Sequence, residues 1–478
     1  MKALLKQNAL LAIICISYFM VILDNSIIFT GLPQIETTMH FSPSALAWVT
    51  NAYVLVFGGF LLLGARAGDL LGRRRMFIIG LLLFGIASVL VGIAPFSGWL
   101  IAARAIQGLG AAILAPSSLA LLTEHFEEGH ERARAVAAYS AVAGIGASAG
   151  LVIGGFLADV ISWRAGFFLN VPIAAVMIVA ALRVISVSPT HKGRFDLIGA
   201  MTATSGMTAL VFGIINAAES SWVNPVTIGS LVLGIVLLVV FVFNEARAKQ
   251  PIMPLRLFAS SERVGAYLTR LLYLGAMMGF FFFTTQYMQG ILHFSPLLAG
   301  FGFLPMSAIN FAVALLVTRY IRRFGLATVL IAGVVFTLGG MAWLSQVGGT
   351  SNYWLSVALP MVLIGIGQGL AFAPMTSAGL AGVRGTDAGA ASGVINTFHQ
   401  VGSALGLSIL VAIGSAVVPA SETGAAALLG RINAALVGSS SLLTLALVLV
   451  VVLIARAEWR RTAREKRTNG QTITGEAA

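Results

Sequence analysis

Apolar residues fill this chain in long runs separated by short polar breaks, rather than alternating with polar ones. A helix of about 20 residues crosses the roughly 30 Å hydrocarbon core of a bilayer. Fourteen runs reach that length, at approximately 8–31, 45–66, 76–95, 98–124, 132–159, 164–186, 196–217, 225–245, 265–289, 296–318, 326–347, 353–376, 389–417 and 434–456. The joining segments are mostly short and leave no room for a soluble domain. The pattern predicts an all-α polytopic membrane protein, with each run a spanning helix whose backbone satisfies itself in lipid.

Composition agrees. Of 478 residues, 58% are hydrophobic and 10% charged, against about 25% charged in soluble domains. The net charge of +12 suggests nucleic acid, but the placement of the charges argues against it. With the first residues assigned to the cytosol, 25 of the 29 Lys and Arg fall on the cytosolic side. Arg164 and Arg431 fall outside, and Arg104 and Arg270 within helices. The excess meets the positive-inside rule, puts both termini in the cytosol and makes anionic lipid the expected partner. Cys15 is the single cysteine, so no intrachain disulfide forms. Lys2 and Lys6 ahead of an apolar run look like a signal peptide, but the run is long, holds Asp24 and lacks a small-residue cleavage site. It reads as a retained first span.

Repeats divide the chain. Gly72 and Gly80 recur as Gly325 and Gly333, Gln107-Gly108-Leu109 as Gln368-Gly369-Leu370, and Gly146-x-x-x-Gly150-Leu151 as Gly402-x-x-x-Gly406-Leu407. Each pair lies eight spans apart and in one order. The expected units are a six-helix bundle over 1–190, two inserted helices over 191–250, a second bundle over 251–456, and a basic tail over 457–478. Duplicated halves around a central site characterise secondary transporters.

Asp24 is the sole charge of the run from Asn8 to Gly31. A carboxylate at mid-membrane costs roughly 2.5–3.5 kcal/mol on insertion scales, so it has a task. Two tasks are open: pairing with a neighbouring helix, or taking up and releasing a proton, since burial penalises the charged form. Arg104, in Arg104-Ala105-Ile106-Gln107-Gly108, is equally expensive and should find a carboxylate; Asp24 is the only acid well inside a span. Its alternative task is to fix helix packing.

Between the second and third runs lies Gly64-Ala65-Arg66-Ala67-Gly68-Asp69-Leu70-Leu71-Gly72-Arg73-Arg74-Arg75. As residues alone this is a glycine turn with a basic topological anchor. The fifth run carries Gly144, Gly146, Gly150, Gly154 and Gly155, a spacing that lets helices approach closely. The turn resembles the signature loop of the major facilitator superfamily, with Asp69, Gly72, Arg73 and Arg74 in place and Ala65 where a glycine is usual. Arg104-x-x-Gln107-Gly108 is similar to that superfamily's helix-4 pattern, and Leu23-Asp24 with Pro33, Trp163 to Pro172, Phe195 to Gly199, Ser295 to Pro305 and Asn396 to Gly402 are similar to its fourteen-span drug:proton antiporter branch. His399 takes a place where that branch suggests arginine. The helix-5 glycines resemble the antiporter motif, with Leu151 at a usual proline position.

The resemblance implies the major facilitator fold, a bacterial cytoplasmic membrane, and export of amphiphilic, often cationic, drugs or biocides in exchange for protons. It implies that Asp24 and Arg104 couple the proton, and that Asp69 latches the cytosolic gate against the start of the thirteenth helix, near Asp387 to Ala391. The expected cavity residues are Asn25, Trp48, Asn51, Tyr53, Gln107, Gln286, Tyr287, Asn310, Gln368 and Asn396. Gly146, Gly150, Gly154 and Gly155 form the glycine motif. A proton-coupled transporter of another solute, an amino acid or one dedicated antibiotic, is the alternative. No P-loop run occurs, no nucleophile with a base is visible, and no filter or ring of like charge suggests a channel. His125, Glu127, Glu128, His130 and Glu131 read as a solvated turn rather than a metal site. No cofactor is expected beyond the proton gradient, the expected unit is a monomer, and the sequence is silent on a periplasmic adaptor.

Overall fold

The computed structural model describes residues 2–126, 130–187, 196–248, 251–384, 387–418 and 422–458. Glu127, Glu128, most of the loop before the seventh span and the tail beyond Glu458 lie outside these. The described residues form fourteen spans and no strand. They are α1 (Lys2–Met39), α2 (Trp48–Leu71), α3 (Arg73–Gly92), α4 (Ser97–His125), α5 (His130–Val160), α6 (Trp163–Val184), α7 (Leu197–Glu219) and α8 (Pro225–Arg247). The others are α9 (Ser261–Gly290), α10 (Pro296–Phe324), α11 (Leu326–Leu344), α12 (Trp354–Gly379), α13 (Ala388–Val417) and α14 (Gly424–Glu458). Thirteen are long and apolar enough to cross a membrane, and α5 contributes the shorter apolar stretch Ile145–Val160. Successive spans run in opposite directions, so α1 starts and α14 ends on one face, called here the terminal face.

The expected order of fourteen helices holds with boundaries shifted by several residues, the largest at α14, which starts at Gly424 rather than near 434; two other shifts bear on the site. α1 continues past Gly31 to Met39, through Pro33, and carries Glu36 at the far face. The expected glycine turn shrinks to one residue: α2 runs helically to Leu71, and Gly72 at φ 96° reverses the chain into α3. Gly325 at φ 84° does the same between α10 and α11, as the repeat requires. A left-handed φ of this kind is open to glycine at little cost.

The repeat is also one of contacts. Gly80 lies against Leu114 of α4, and Gly333 against Ala371 of α12. Gly108 meets the backbone of Tyr53 in α2, and Gly369 that of Asn310 in α10. Gly150 packs on α1, and Gly406 on Gly275 of α9. In a membrane, where burial of apolar surface does not drive helices together, such small-residue contacts supply the close packing.

The inserted helices form a hairpin, closed at the terminal face by two 2.9 Å bonds from the Asn244 amide to the Asp196 carboxylate. α7 packs against both α2 and α13, while most of α8 is exposed. The two halves meet along α2 with α13, and where α5 meets the start of α10. Asn51 donates to Ser408 at 2.9 Å, Ser44 and Ser415 are 3.3 Å apart, and Gln289 donates to the Thr30 carbonyl at 2.9 Å. These bonds lie from mid-bundle to the far face.

Candidate functional site

The buried polar cluster in the first bundle is assembled by helix packing. Three glycines of α5 let α1 approach: Gly146 faces Phe19 and Ile22, Gly150 faces Leu23 and Ser26, and Gly154 faces Ile27 and Thr30. A Cβ on Gly150 would lie 2.6 Å from that of Ser26, and one on Gly154 2.7 Å from the Ile27 Cα. Asp24 therefore sits deep in the bundle, with no exposed surface.

Its carboxylate is fully engaged. Arg104 Nη1 donates to Oδ2 at 2.7 Å; Gln107 Nε2 and Asn170 Nδ2 donate to Oδ1 at 2.8 and 2.7 Å. Arg104 Nη1 also donates to Gln107 Oε1 at 2.6 Å, and its Nε to the Val49 carbonyl at 3.1 Å. Ser88 Oγ accepts from Gln107 at 2.9 Å and from Asn170 at 3.3 Å. The Tyr53 ring covers the guanidinium at 4.4 Å, and Phe167 lies 5.6 Å away. Arg104, Gln107, Asn170 and Ser88 are all fully buried. The cluster thus holds one negative and one positive charge, each surrounded by neutral partners. Protonating Asp24 would cancel one charge and leave the other without its counterion.

The expected Asp24–Arg104 pair is present. Gln107, expected in a cavity wall, belongs to this cluster, and Tyr53 lies over the arginine. Asn170 and Ser88 were missed. Asn170 stands as a lone amide in an apolar run and could have been noticed; Ser88 carries no signal in the sequence.

The other expected cavity residues are scattered. Asn51 bonds across the halves to Ser408 and is fully buried. Trp48 tilts against Phe212 of the inserted hairpin, with ring centroids 6.4 Å apart. Tyr287 donates to the Gly348 carbonyl at 2.8 Å. Gln286 borders a far-face cavity of about 520 Å³, together with Glu36 and Arg431. Asn25, Asn310 and Gln368 are half-buried, and Asn396 is exposed and donates to the Ser392 carbonyl.

The gate motif builds a corner within the first half. Arg73 Nη2 donates to Asp69 at 3.3 Å, and its Nη1 to the Ala120 carbonyl at 3.2 Å and to Glu124 at 3.4 Å. Arg74 donates to the Leu182 carbonyl at 2.7 Å. The expected reach of Asp69 to the start of α13 is not seen in this conformation. Asp69 has Arg73 one helical turn away. Asp387, at the start of α13, is held by Arg256 in two bonds of 2.9 and 2.7 Å. Those bonds hold the Asp387 carboxyl below its ordinary range. Of the four motif glycines, Gly155 alone leaves the first half; it meets the Pro296 carbonyl and closes the far end of the seam with α10.

His125 bonds the Leu121 carbonyl at 3.0 Å, as a helix end would. Glu127 and Glu128 lie outside the described residues.

Two helical bundles with repeated packing, the first holding a buried charge pair, have the architecture of a secondary membrane transporter. The Major Facilitator Superfamily model matches residues 14–407. A puromycin resistance protein of Streptomyces alboniger is 38% identical over 404 residues, covering 84% of this chain and 80% of the relative. A cephamycin export protein of Amycolatopsis lactamdurans is 38% identical over 408 residues, 84% of each. A tetracenomycin C resistance and export protein of Streptomyces glaucescens is 29% identical over 399 residues, covering 83% of this chain and 74% of the relative. Among solved structures, a bacterial homologue of the lysosomal transporter Spinster, inward-facing and occupied, superposes with a TM-score of 0.68 at 14% identity. It covers 94% of this chain and 97% of that one. The chain belongs to the major facilitator superfamily, and these relatives are named as antibiotic resistance and export proteins.

Proposed function

We propose that this protein exports amphiphilic compounds, often cationic, in exchange for protons, working by alternating access in a bacterial cytoplasmic membrane with both termini cytosolic. The observation that carries the proposal is the Asp24–Arg104 pair, a single charge couple with no solvent exposure inside the first bundle. Protonation of Asp24 from the outside removes its attraction to Arg104 or to a bound cation and permits the halves to rock. In the inward-open state the proton leaves as substrate binds, so the two compete for one carboxylate. The inter-half bonds from mid-bundle to the far face fit a conformation closed there. Asp69 then acts in the opposite conformation, when the terminal face closes. The cycle draws on the proton gradient alone, one chain is the working unit, and anionic lipid meets the basic terminal face.

Three relatives are named for single antibiotics, which favours a second reading: a pump dedicated to one compound. A susceptibility panel separates the two. Cells expressing this chain should tolerate several unrelated cationic biocides, and cells expressing Asp24→Asn should not. Tolerance to one compound only would support the dedicated pump. No Asp24-dependent tolerance would reject both.

A further inference from the structure

A second buried cation, in the other bundle, has no counterion among the described residues. Arg270 lies ten residues into α9 and is 7% exposed. Its Nη1 donates to Thr376 Oγ1 at 3.0 Å, its Nη2 lies 3.3 Å from His399 Nδ1, and the Phe372 ring stands 5.0 Å from its Cζ. Its buried Nε has no hydrogen-bond partner. The contrast with Arg104, which has Asp24, is direct. Between α9 and α14 the acids Glu262, Asp387, Glu422 and Glu458 all stand at span ends or in loops. None pairs with Arg270.

The neighbours are already committed in ways that leave donors, not acceptors, facing the site. Thr376 gives its hydroxyl proton to the Phe372 carbonyl at 3.0 Å and accepts from Arg270. For His399 Nδ1 to accept from Arg270 the ring is neutral, with its proton on Nε2, free to donate. Across the seam stands Tyr18 of α1, close enough to Arg270 to interact electrostatically and stacked on Tyr139 of α5 at 4.1 Å. The site therefore offers a cation, two spare N–H donors and flat aromatic walls from both halves. A buried guanidinium of this kind is stabilised by a bidentate anion.

We propose that Arg270, with His399, is an anion-binding subsite on the transport path, which takes the carboxylate of an aromatic, carboxylate-bearing amphiphile. This rests on reading the space between the halves as that path. It extends the range of exported compounds from cations to acids and zwitterions. A cationic group would be left to Asp24, and an acidic one to Arg270.

The test uses the full-length protein in phosphatidylcholine nanodiscs, with pyrenebutyrate and its methyl ester as fluorescent probes. Wild type should bind the acid about 10- to 100-fold more tightly than the ester, as charge-assisted bonds imply. Arg270→Gln should bind both equally, and Arg270→Lys should keep part of the preference. Equal binding by wild type, or a preference that survives Arg270→Gln, overturns the proposal. Should Arg270→Gln not give monodisperse protein, His399→Ala replaces it, and an unchanged preference there overturns the proposal. Loss of acid binding in nanodiscs containing phosphatidylglycerol would place a lipid headgroup in the subsite and overturn the substrate assignment. Ethidium efflux from proteoliposomes under a pH gradient tests the transport reading separately: efflux without acid preference sinks the subsite alone, and acid preference without efflux supports the subsite while sinking the exporter.

Discussion

Replacing Asp24 by Asn is the sharpest perturbation, because the surroundings leave the amide no good orientation. With its oxygen at the Oδ1 position, Asn keeps the donors Gln107 and Asn170, now at 2.8 and 2.7 Å. Its NH₂ then faces Arg104 Nη1, a donor 2.7 Å away in the native protein. Flipped, it faces two donors instead of one. Either way Arg104 stays buried without a counterion, and breaking a buried pair from one side costs about 3–5 kcal/mol. That is two to four powers of ten in an equilibrium constant. Thermal unfolding of the purified protein should show a large loss of stability. Ethidium export driven by a pH gradient in proteoliposomes should vanish. The double variant Asp24→Asn/Arg104→Gln removes the stranded charge, so most of the stability should return while transport stays absent. Losses that simply add in the double variant would refute electrostatic coupling of the pair. Full pH-driven export by Asp24→Asn would refute the choice of Asp24 as proton carrier.

Asp69→Asn removes only a partly exposed i,i+4 pair in this conformation, worth about 1 kcal/mol or less, so stability should change little. If Asp69 latches the closed terminal face, labelling of a cysteine at Gly389, in a chain with Cys15 replaced, should rise; unchanged labelling assigns the loop to topology alone. With one titrating carboxylate, exchange of one proton for one monovalent cation moves no net charge, so a valinomycin-set potential should do little for ethidium. The same exchange with a monovalent acid moves two charges, about 4.6 kcal/mol per 100 mV, and should respond steeply; a strong response by ethidium to potential alone would sink the one-carboxylate scheme. The Asp387 carboxyl is lowered by Arg256, so the stabilisation it brings is present above the ordinary carboxylate range and lost as pH falls through the lowered value. Protection factors of Leu255–Ala259, with the intrinsic pH dependence of amide exchange divided out, should fall on acidification of wild type and stay low in Asp387→Asn; pH-independent protection in wild type would contradict this.

Much of the fold was legible. Apolar runs fix spans because lipid leaves the backbone no other solution, and Lys and Arg at alternate loops fix their sense. The repeat of Gly72 and Gly325 was readable because a one-residue reversal at positive φ selects glycine. Of the site, the Asp24–Arg104 pair was legible because two charges in a membrane have few partners to choose from. The neutral partners were not: Asn170 and Ser88 look like any polar residue tolerated in a span. Arg270 was visible as a charge, and so was the lack of a deep acid in the second half; that Thr376 and His399 would be its partners was not. The resemblance to a family added the roles of Asp69 and the glycines, and in this conformation the structure gives Asp69 a different partner.

The sequence by itself determined how many times the chain crosses, where it turns, and that each half repeats the other, since these depend on local composition and length. Only the tertiary structure decided which side chains share a site. Helix rotation sets that: Gln107 turns toward Asp24, Trp48 turns out to Phe212, and Tyr53 covers Arg104. A polar residue in an apolar helix reads the same whichever way it points, and the close glycine contacts of α5 with α1 choose the direction.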